Sequence, residues 1–266
     1  MTRIFAVANQ KGGVGKTTTT VNLAASLAAT KRNVLVVDLD PQGNATMGCG
    51  VDKYEAEVNV CDVLLGEASC IDTIQPVEPA GLFVLPSNSD LTAAEIELIQ
   101  MEQREKRLGM ALAEVSDKFD YILIDCPPTL NMLTINALAA ATGVLIPMQC
   151  EYYALEGLSA LLDTIEKIRS TINPSLQVEG LLRAMFDPRN KLAIDVSNQL
   201  ESHFGDKVYR TLIPRNVRLA EAPSFGQPVI LYDRASRGAV AYLALAGEIL
   251  RKQERSSDLA ATGTGS

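Results

Sequence analysis

Gln10-Lys11-Gly12-Gly13-Val14-Gly15-Lys16-Thr17-Thr18 decides how the rest of the chain is read. An apolar run, Ile4-Phe5-Ala6-Val7-Ala8, precedes it, and a helical pattern of Val21, Leu23, Ala24, Leu27 and Ala28 follows. Strand, glycine-rich loop and helix in that order are the context a phosphate loop requires. The glycines let successive backbone N–H groups turn inward around phosphate oxygens. The helix starting near Lys16 adds its positive dipole end. In this arrangement Lys16 reaches the β- and γ-phosphates, the Thr17 hydroxyl binds Mg²⁺, and Gly12, Gly13, Val14, Gly15 and Thr18 complete the cradle.

Working outward, Asn33-Val34-Leu35-Val36-Val37-Asp38-Leu39-Asp40-Pro41-Gln42-Gly43-Asn44 reads as a strand buried on both faces that ends in two aspartates and a turn. Ligands of open α/β sheets bind beyond the carboxyl ends of strands, so Asp38 and Asp40 point toward the phosphate site. Phe119-Asp120-Tyr121-Ile122-Leu123-Ile124-Asp125-Cys126-Pro127-Pro128 is a second apolar run ending in Asp, the Walker B pattern. Asp125 binds Mg²⁺ through water in this reading, because Mg²⁺ keeps much of its hydration. Cys126 has no histidine near it in sequence, the only one being His203, and is read as packing. His203 is read as structural, near a helix end.

Leu82–Pro86 and Gly143–Pro147 are further buried strands, and helical patterns lie between the strands throughout. One run, holding Arg104, Lys106 and Arg107, is predicted as a helix to about Ser116, and Gly180 marks a bend in a strand from Leu176 to Met185. The alternation predicts a single doubly wound phosphate-loop α/β domain with a mostly parallel sheet flanked by helices. Its expected extent is residues 1–255, with a last helix to about Glu254 and a disordered tail over 256–266.

The totals of the 266-residue chain set limits on function. A hydrophobic share of 47% is ordinary for a globular protein. Five cysteines without a C-x-x-C pair argue against a zinc ribbon or redox dithiol and suit a reducing cytosol. No signal-peptide pattern and no apolar run of membrane-spanning length is present. The net charge of −8 is unevenly spread: residues 1–182 hold 12 basic and 23 acidic side chains, and residues 183–255 hold 12 and 8. Local fields steer partners more than the sum does, so the C-terminal third remains open to polyanions.

Lys11 is unusual, since a plain phosphate loop needs no second lysine ahead of its glycines. K-G-G-x-G-K-T, with D-L-D-P-Q-G-N, D-C-P-P and the run Thr211-Leu212-Ile213-Pro214-Arg215-Asn216-Val217-Arg218-Leu219-Ala220-Glu221-Ala222-Pro223-Ser224, resembles the ParA/Soj chromosome- and plasmid-partitioning ATPases. These belong to the deviant Walker A group. The resemblance spans Arg3 to about Arg251. It implies an Mg²⁺-dependent ATPase in which Lys11 reaches phosphates held by a second copy of the chain. It implies that Asp40 orients the attacking water, that Asp38 sits nearer the metal's outer shell, and that Pro214 and Asn216 frame adenine. It places Cys150–Gly157 near the dimer interface, with Glu151 toward the partner's nucleotide. Arginines of the C-terminal half are implied to bind double-stranded DNA without reading sequence, the candidates being Arg189, Arg218, Arg215, Arg234 and Arg237. A ParB-type DNA-binding protein is the implied stimulating partner, and a cytoplasmic, nucleoid-associated location follows.

Two rival readings come from the same superfamily. A MinD-like membrane-positioning ATPase needs a C-terminal amphipathic helix that meets lipid. Ser256-Ser257-Asp258-Leu259-Ala260-Ala261 has no basic apolar face. A cluster-bearing relative of the nitrogenase iron protein needs bridging cysteines. Cys126 and Cys150 sit in settings that match the partitioning group instead.

Overall fold

The computed structural model describes residues 2–262, with side chains through residue 255. Along the chain run β1 (Arg3–Val7), α1 (Lys16–Ala28), β2 (Val34–Asp38), α2 (Asn44–Gly48), α3 (Val60–Leu65), α4 (Cys70–Thr73), β3 (Gln75–Val77), β4 (Leu82–Leu85), α5 (Leu91–Leu98) and α6 (Arg107–Ala113). There follow β5 (Tyr121–Asp125), α7 (Met132–Ala140), β6 (Gly143–Met148), α8 (Ala154–Thr171), β7 (Gln177–Phe186), α9 (Lys191–Phe204), β8 (Val208–Pro214), α10 (Val217–Glu221), α11 (Val229–Tyr232) and α12 (Arg237–Thr262).

Among the described residues the sheet has the order β3-β4-β2-β5-β1-β6-β7-β8. Every pairing is parallel except that of β3 with β4. This is the doubly wound α/β fold expected from the alternation. Its strands read as continuous apolar runs because helices cover both faces. Alternate residues of each strand enter different layers. Phe5, Val7, Val34, Val36, Tyr121 and Leu123 pack with Val21, Leu23 and Ala24 of α1 and Tyr242, Leu245 and Ile249 of α12. Ala6, Ala8, Leu35, Val37, Ile122 and Ile124 face α3 and the helices from α5 to α9.

The sheet winds outward in both directions from β1, and that reversal opens a crevice at the strands' carboxyl ends. The register puts the site there. Val7 pairs with Asp125 and Asp125 with Asp38, so the ends of β1, β5 and β2 form one row.

Gly180 does mark an irregularity. Val144 pairs with Val178 but Leu145 with Gly180, which leaves Glu179 bulged out. A Cβ on Gly180 would lie 2.3 Å from the Tyr209 ring.

Two expectations need correction. The helix around Arg104 begins only at Arg107: residues 102–105 form a turn with Gln103 at a φ of 52°, and Lys106, at φ −112° and ψ 1°, is the N-cap. The expected disordered tail is helical as far as Thr262. Residues 256–262 contain no glycine or proline, and the first breaker is Gly263. The rest of the predicted tail, 263–266, lies outside the described residues. No helix among the described residues is long and apolar enough to cross a membrane.

Candidate active site

The loop between β1 and α1 takes the shape its glycines allow. Gly13 and Gly15 have φ values of 72° and 90°, which favour glycine. Gly15 is the N-cap of α1, and no side chain caps the helix. The first amides of α1 are therefore free for an anion. The loop is braced from β6: Gln149 Nε2 donates to the Gly13 carbonyl at 3.0 Å.

The two lysines of the motif have opposite surroundings. Lys16 is 7% exposed, and its ammonium donates to the Lys11 carbonyl at 3.3 Å. Burial lowers its pKa, and nearby Asp125 opposes that shift. The side chain of Lys11 is about half exposed, and its ammonium lies 2.5 Å from Glu151 Oε2 of the same chain.

The acidic residues also divide. Asp38 and Asp125 are both fully buried. Asp38 Oδ2 accepts the backbone N–H and the hydroxyl of Thr46, each at 2.7 Å, and Oδ1 accepts the Asp40 N–H at 3.2 Å. Burial still pushes its pKa up to about 6. Asp125 Oδ1 accepts the Thr20 hydroxyl at 3.2 Å. Its Oδ2 is buried without a hydrogen-bond partner. Burial first, then the charge of Asp38, raises its pKa.

A buried, unpaired carboxylate oxygen beside a phosphate loop is costly unless a cation meets it. Asp125 therefore fits a divalent ion, with Thr17 one helical turn before Thr20 on the same helix. Asp38 has both oxygens engaged by the protein, which suits an anchor behind the ion better than a direct ligand. Asp40 is half-buried, and its Oδ1 accepts the Gln42 N–H at 2.9 Å.

Pro214 and Asn216 line a cavity of about 370 Å³ together with Gly15, Thr18, Met185 and Tyr242. The volume and its apolar walls suit a purine-sized group. Asn216 also caps α10, its Oδ1 accepting the Arg218 N–H at 3.1 Å. The amide NH₂ is left for a ligand.

Arg189 and Arg218 lead the candidate arginines in the sequence, yet these are the two that the structure pairs with acids. Arg189 is gripped at two nitrogens by Asp187, at 2.9 and 2.7 Å. Arg218 pairs with Glu221 at 2.7 Å and Asp233 at 3.4 Å. Arg215, Arg234 and Arg237 are exposed and make no ion pair among the described residues. Cys126 is buried, and burial raises its thiol pKa well above the ordinary value, in keeping with a packing role. His203 lies exposed near the end of α9.

Several partners escape sequence reasoning. Ser87 and Tyr242 reach the site from distant parts of the chain with no motif around them, and Thr46 and Gln149 sit just outside the quoted runs, which give no sign of their bonds. Tyr242 is one: its hydroxyl lies 3.1 Å from the Thr19 hydroxyl across α12 and α1. Its only signal is a tyrosine in the apolar stripe of the last helix.

Residues 2–178 match the family model of the AAA domain. The chain is 54% identical to the sporulation initiation inhibitor protein Soj of Bacillus subtilis, over 94% of this chain and 98% of the relative. It is 49% identical to the chromosome partitioning protein ParA of Caulobacter vibrioides, over 94% and 95%. Among solved structures, cobyrinic acid a,c-diamide synthase from Mycobacterium smegmatis with bound ADP and magnesium superposes with a TM-score of 0.84 at 38% identity, covering 96% of each chain. With relatives at this level over nearly the full length, the chain belongs to the Soj/ParA family of chromosome-partitioning ATPases.

Proposed function

We propose that the chain is an ATP-driven DNA-partitioning switch in which two copies close on ATP, grip DNA without sequence preference, and let go after hydrolysis. The contrast between Lys16 and Lys11 carries this reading. Lys16 is buried within its own loop, whereas Lys11 stands at the loop mouth, held only by the exposed Glu151. A lysine in that position serves a phosphate presented from outside the chain.

Gly12, Gly13, Val14, Gly15 and Thr18 would wrap the phosphates, and Lys16 would neutralise them. Pro214 and Asn216 would hold the adenine. Asp125 and Thr17 would hold Mg²⁺, with Asp38 fixing the strand behind them. Bound there, Mg²⁺ would offset charge on the phosphate oxygens. Asp40 would orient the attacking water, since positioning and charge stabilisation do most of the work of phosphoryl transfer. Lys11 would cross to the partner copy's phosphates, so loss of the γ-phosphate loosens the dimer.

The C-terminal arginines would meet DNA phosphates. Joining two weak patches in a dimer raises affinity through effective concentration. A ParB-type protein would speed the hydrolytic step, and the dimer would sit on nucleoid DNA in the cytoplasm. Light scattering with Mg²⁺ and a non-hydrolysable ATP analogue tests the core of this. A dimer is expected, together with retention on DNA that ADP does not support. A chain that stays monomeric when saturated with the analogue overturns the reading.

A further inference from the structure

β4 runs into Pro86-Ser87, and Ser87 is fully buried. Its backbone N–H donates to Thr46 Oγ1 at 2.9 Å, and its hydroxyl donates to the Asp40 carbonyl oxygen at 3.0 Å. Thr46 donates its hydroxyl and its backbone N–H to Asp38 Oδ2. Asp38 Oδ1 accepts the Asp40 N–H. The four residues therefore close a ring of hydrogen bonds, and Asp40 is held in it by both its N–H and its C=O.

The turn beyond Asp40 is equally constrained. Gly43 has a φ of 62°, and a Cβ there would lie 2.8 Å from the Ser87 carbonyl oxygen. Lys53 Nζ donates to the Gln42 carbonyl at 2.6 Å. Asp40 Oδ1 is tied to the Gln42 N–H, so a shift of this turn moves the carboxylate with it.

We infer that Ser87 is a positioning residue for hydrolysis, fixing the Asp40 backbone so that its carboxylate stands where the attacking water must be aligned. This rests on the reading of Asp40 given above. Thr46 and Asp38 have a second task, the support of a buried charge. The Ser87 hydroxyl makes one neutral hydrogen bond in this network, to the Asp40 carbonyl, so its removal reports on the place of Asp40. Small displacements of a positioned group cost rate far more than they cost binding.

The test compares Ser87→Ala, Asp40→Ala and the double variant, reading kcat for ATP and the affinity for a non-hydrolysable analogue. Ser87→Ala is expected to lower kcat about tenfold. The analogue's Kd should stay within about twofold, because an alignment that matters only in the transition state leaves ground-state binding nearly unchanged. In the Asp40→Ala background Ser87→Ala should cost nothing more, which a merely structural serine would not produce. Ser87→Cys keeps a donor at the same place, though a weaker and somewhat bulkier one, and should fall between wild type and Ser87→Ala, even if the alanine variant folds poorly. Full kcat in both Ser87 variants, or an equal loss with and without Asp40, overturns the inference. Normal turnover by Asp40→Ala overturns the reading of Asp40 itself. Slow turnover by Asp40→Ala beside normal Ser87 variants overturns the role of Ser87 alone.

Discussion

Asp38 and Asp125 are cross-strand neighbours at the carboxyl ends of β2 and β5, two fully buried carboxyls in one row of the sheet. Burial raises the pKa of both, and the charge of Asp38 raises that of Asp125 further. A carboxyl whose folded pKa exceeds its unfolded value holds its proton longer in the folded state. The folded state then loses stability as pH rises between the two values. For Asp38 that window runs from 3.8 to about 6.

Asp125→Asn removes one of the two charges at nearly constant shape. Without metal and nucleotide it is expected to raise Tm relative to wild type, by about 3 °C near neutral pH. The gain should shrink as pH falls through the window in which wild-type Asp38 takes up its proton, from about 6 downward. With Mg²⁺ and a non-hydrolysable ATP analogue, the order should reverse if Asp125 holds the ion, because the variant's neutral amide does not offset the cation's charge. Thermal melts of both proteins from about pH 5 to about pH 7.5 check this. A pH-independent gap would show that the pair is not the titrating unit.

These two strands are legible in the sequence because burial on both faces leaves a continuous apolar run with a charged end, a pattern few other structures share. The loop before α1 is legible because its left-handed turns require glycine at Gly13 and Gly15. What surrounds them is not. The bond from Ser87 to Asp40 spans 47 positions, and that from Gln149 to Gly13 spans 136. Each depends on which strands lie side by side, and the order β2-β5-β1-β6 is a tertiary outcome. The arginines show the same limit. Their charge is visible in the sequence, whereas whether an acid already occupies each one is decided by chain packing.

Lys11 and Lys16 should separate cleanly on substitution. The ion pair of Lys11 with Glu151 is exposed on both sides, and such pairs contribute less than about 1 kcal/mol. Lys11→Ala is therefore expected to keep its Tm and its nucleotide affinity as a monomer while losing nucleotide-dependent dimerisation. Lys16→Ala should bind nucleotide about 10–100-fold more weakly, the worth of a charge-assisted hydrogen bond. Calorimetric titration and light scattering on the two variants check both outcomes. Unimpaired dimerisation of Lys11→Ala would remove the trans-acting role.

Gly180 is the position where the sheet tolerates no side chain. The Tyr209 ring fills the space over the bulge, its hydroxyl donating to Glu179 Oε1 at 3.2 Å. Tyr209 is buried in the layer that packs against α12, so its ring cannot retreat cheaply. Gly180→Ala is expected to destabilise by about 1–3 kcal/mol, the usual cost of overpacking. Urea denaturation should show a lower midpoint with an unchanged slope. A neutral result would mean the Tyr209 ring moves aside freely.

Arg218 is held by Glu221 and Asp233, and a DNA phosphate could engage it only by displacing those carboxylates. Glu221 thus competes with DNA if Arg218 is a phosphate ligand. Arg218 and Glu221 are both partly exposed, so Glu221→Gln should change stability little. It is expected to tighten ATP-dependent DNA binding severalfold, since a competing negative charge is gone. Arg215, Arg234 and Arg237 make no ion pair among the described residues, and replacing all three with alanine should weaken binding outright. It should also flatten the dependence of log K on log salt by about one for each phosphate no longer neutralised. Fluorescence anisotropy on a short duplex across a salt series measures both effects. If Glu221→Gln leaves affinity unchanged while the triple variant binds poorly, Arg218 is a structural clamp between α10 and the turn at Asp233, and DNA lies over the three unpaired arginines instead.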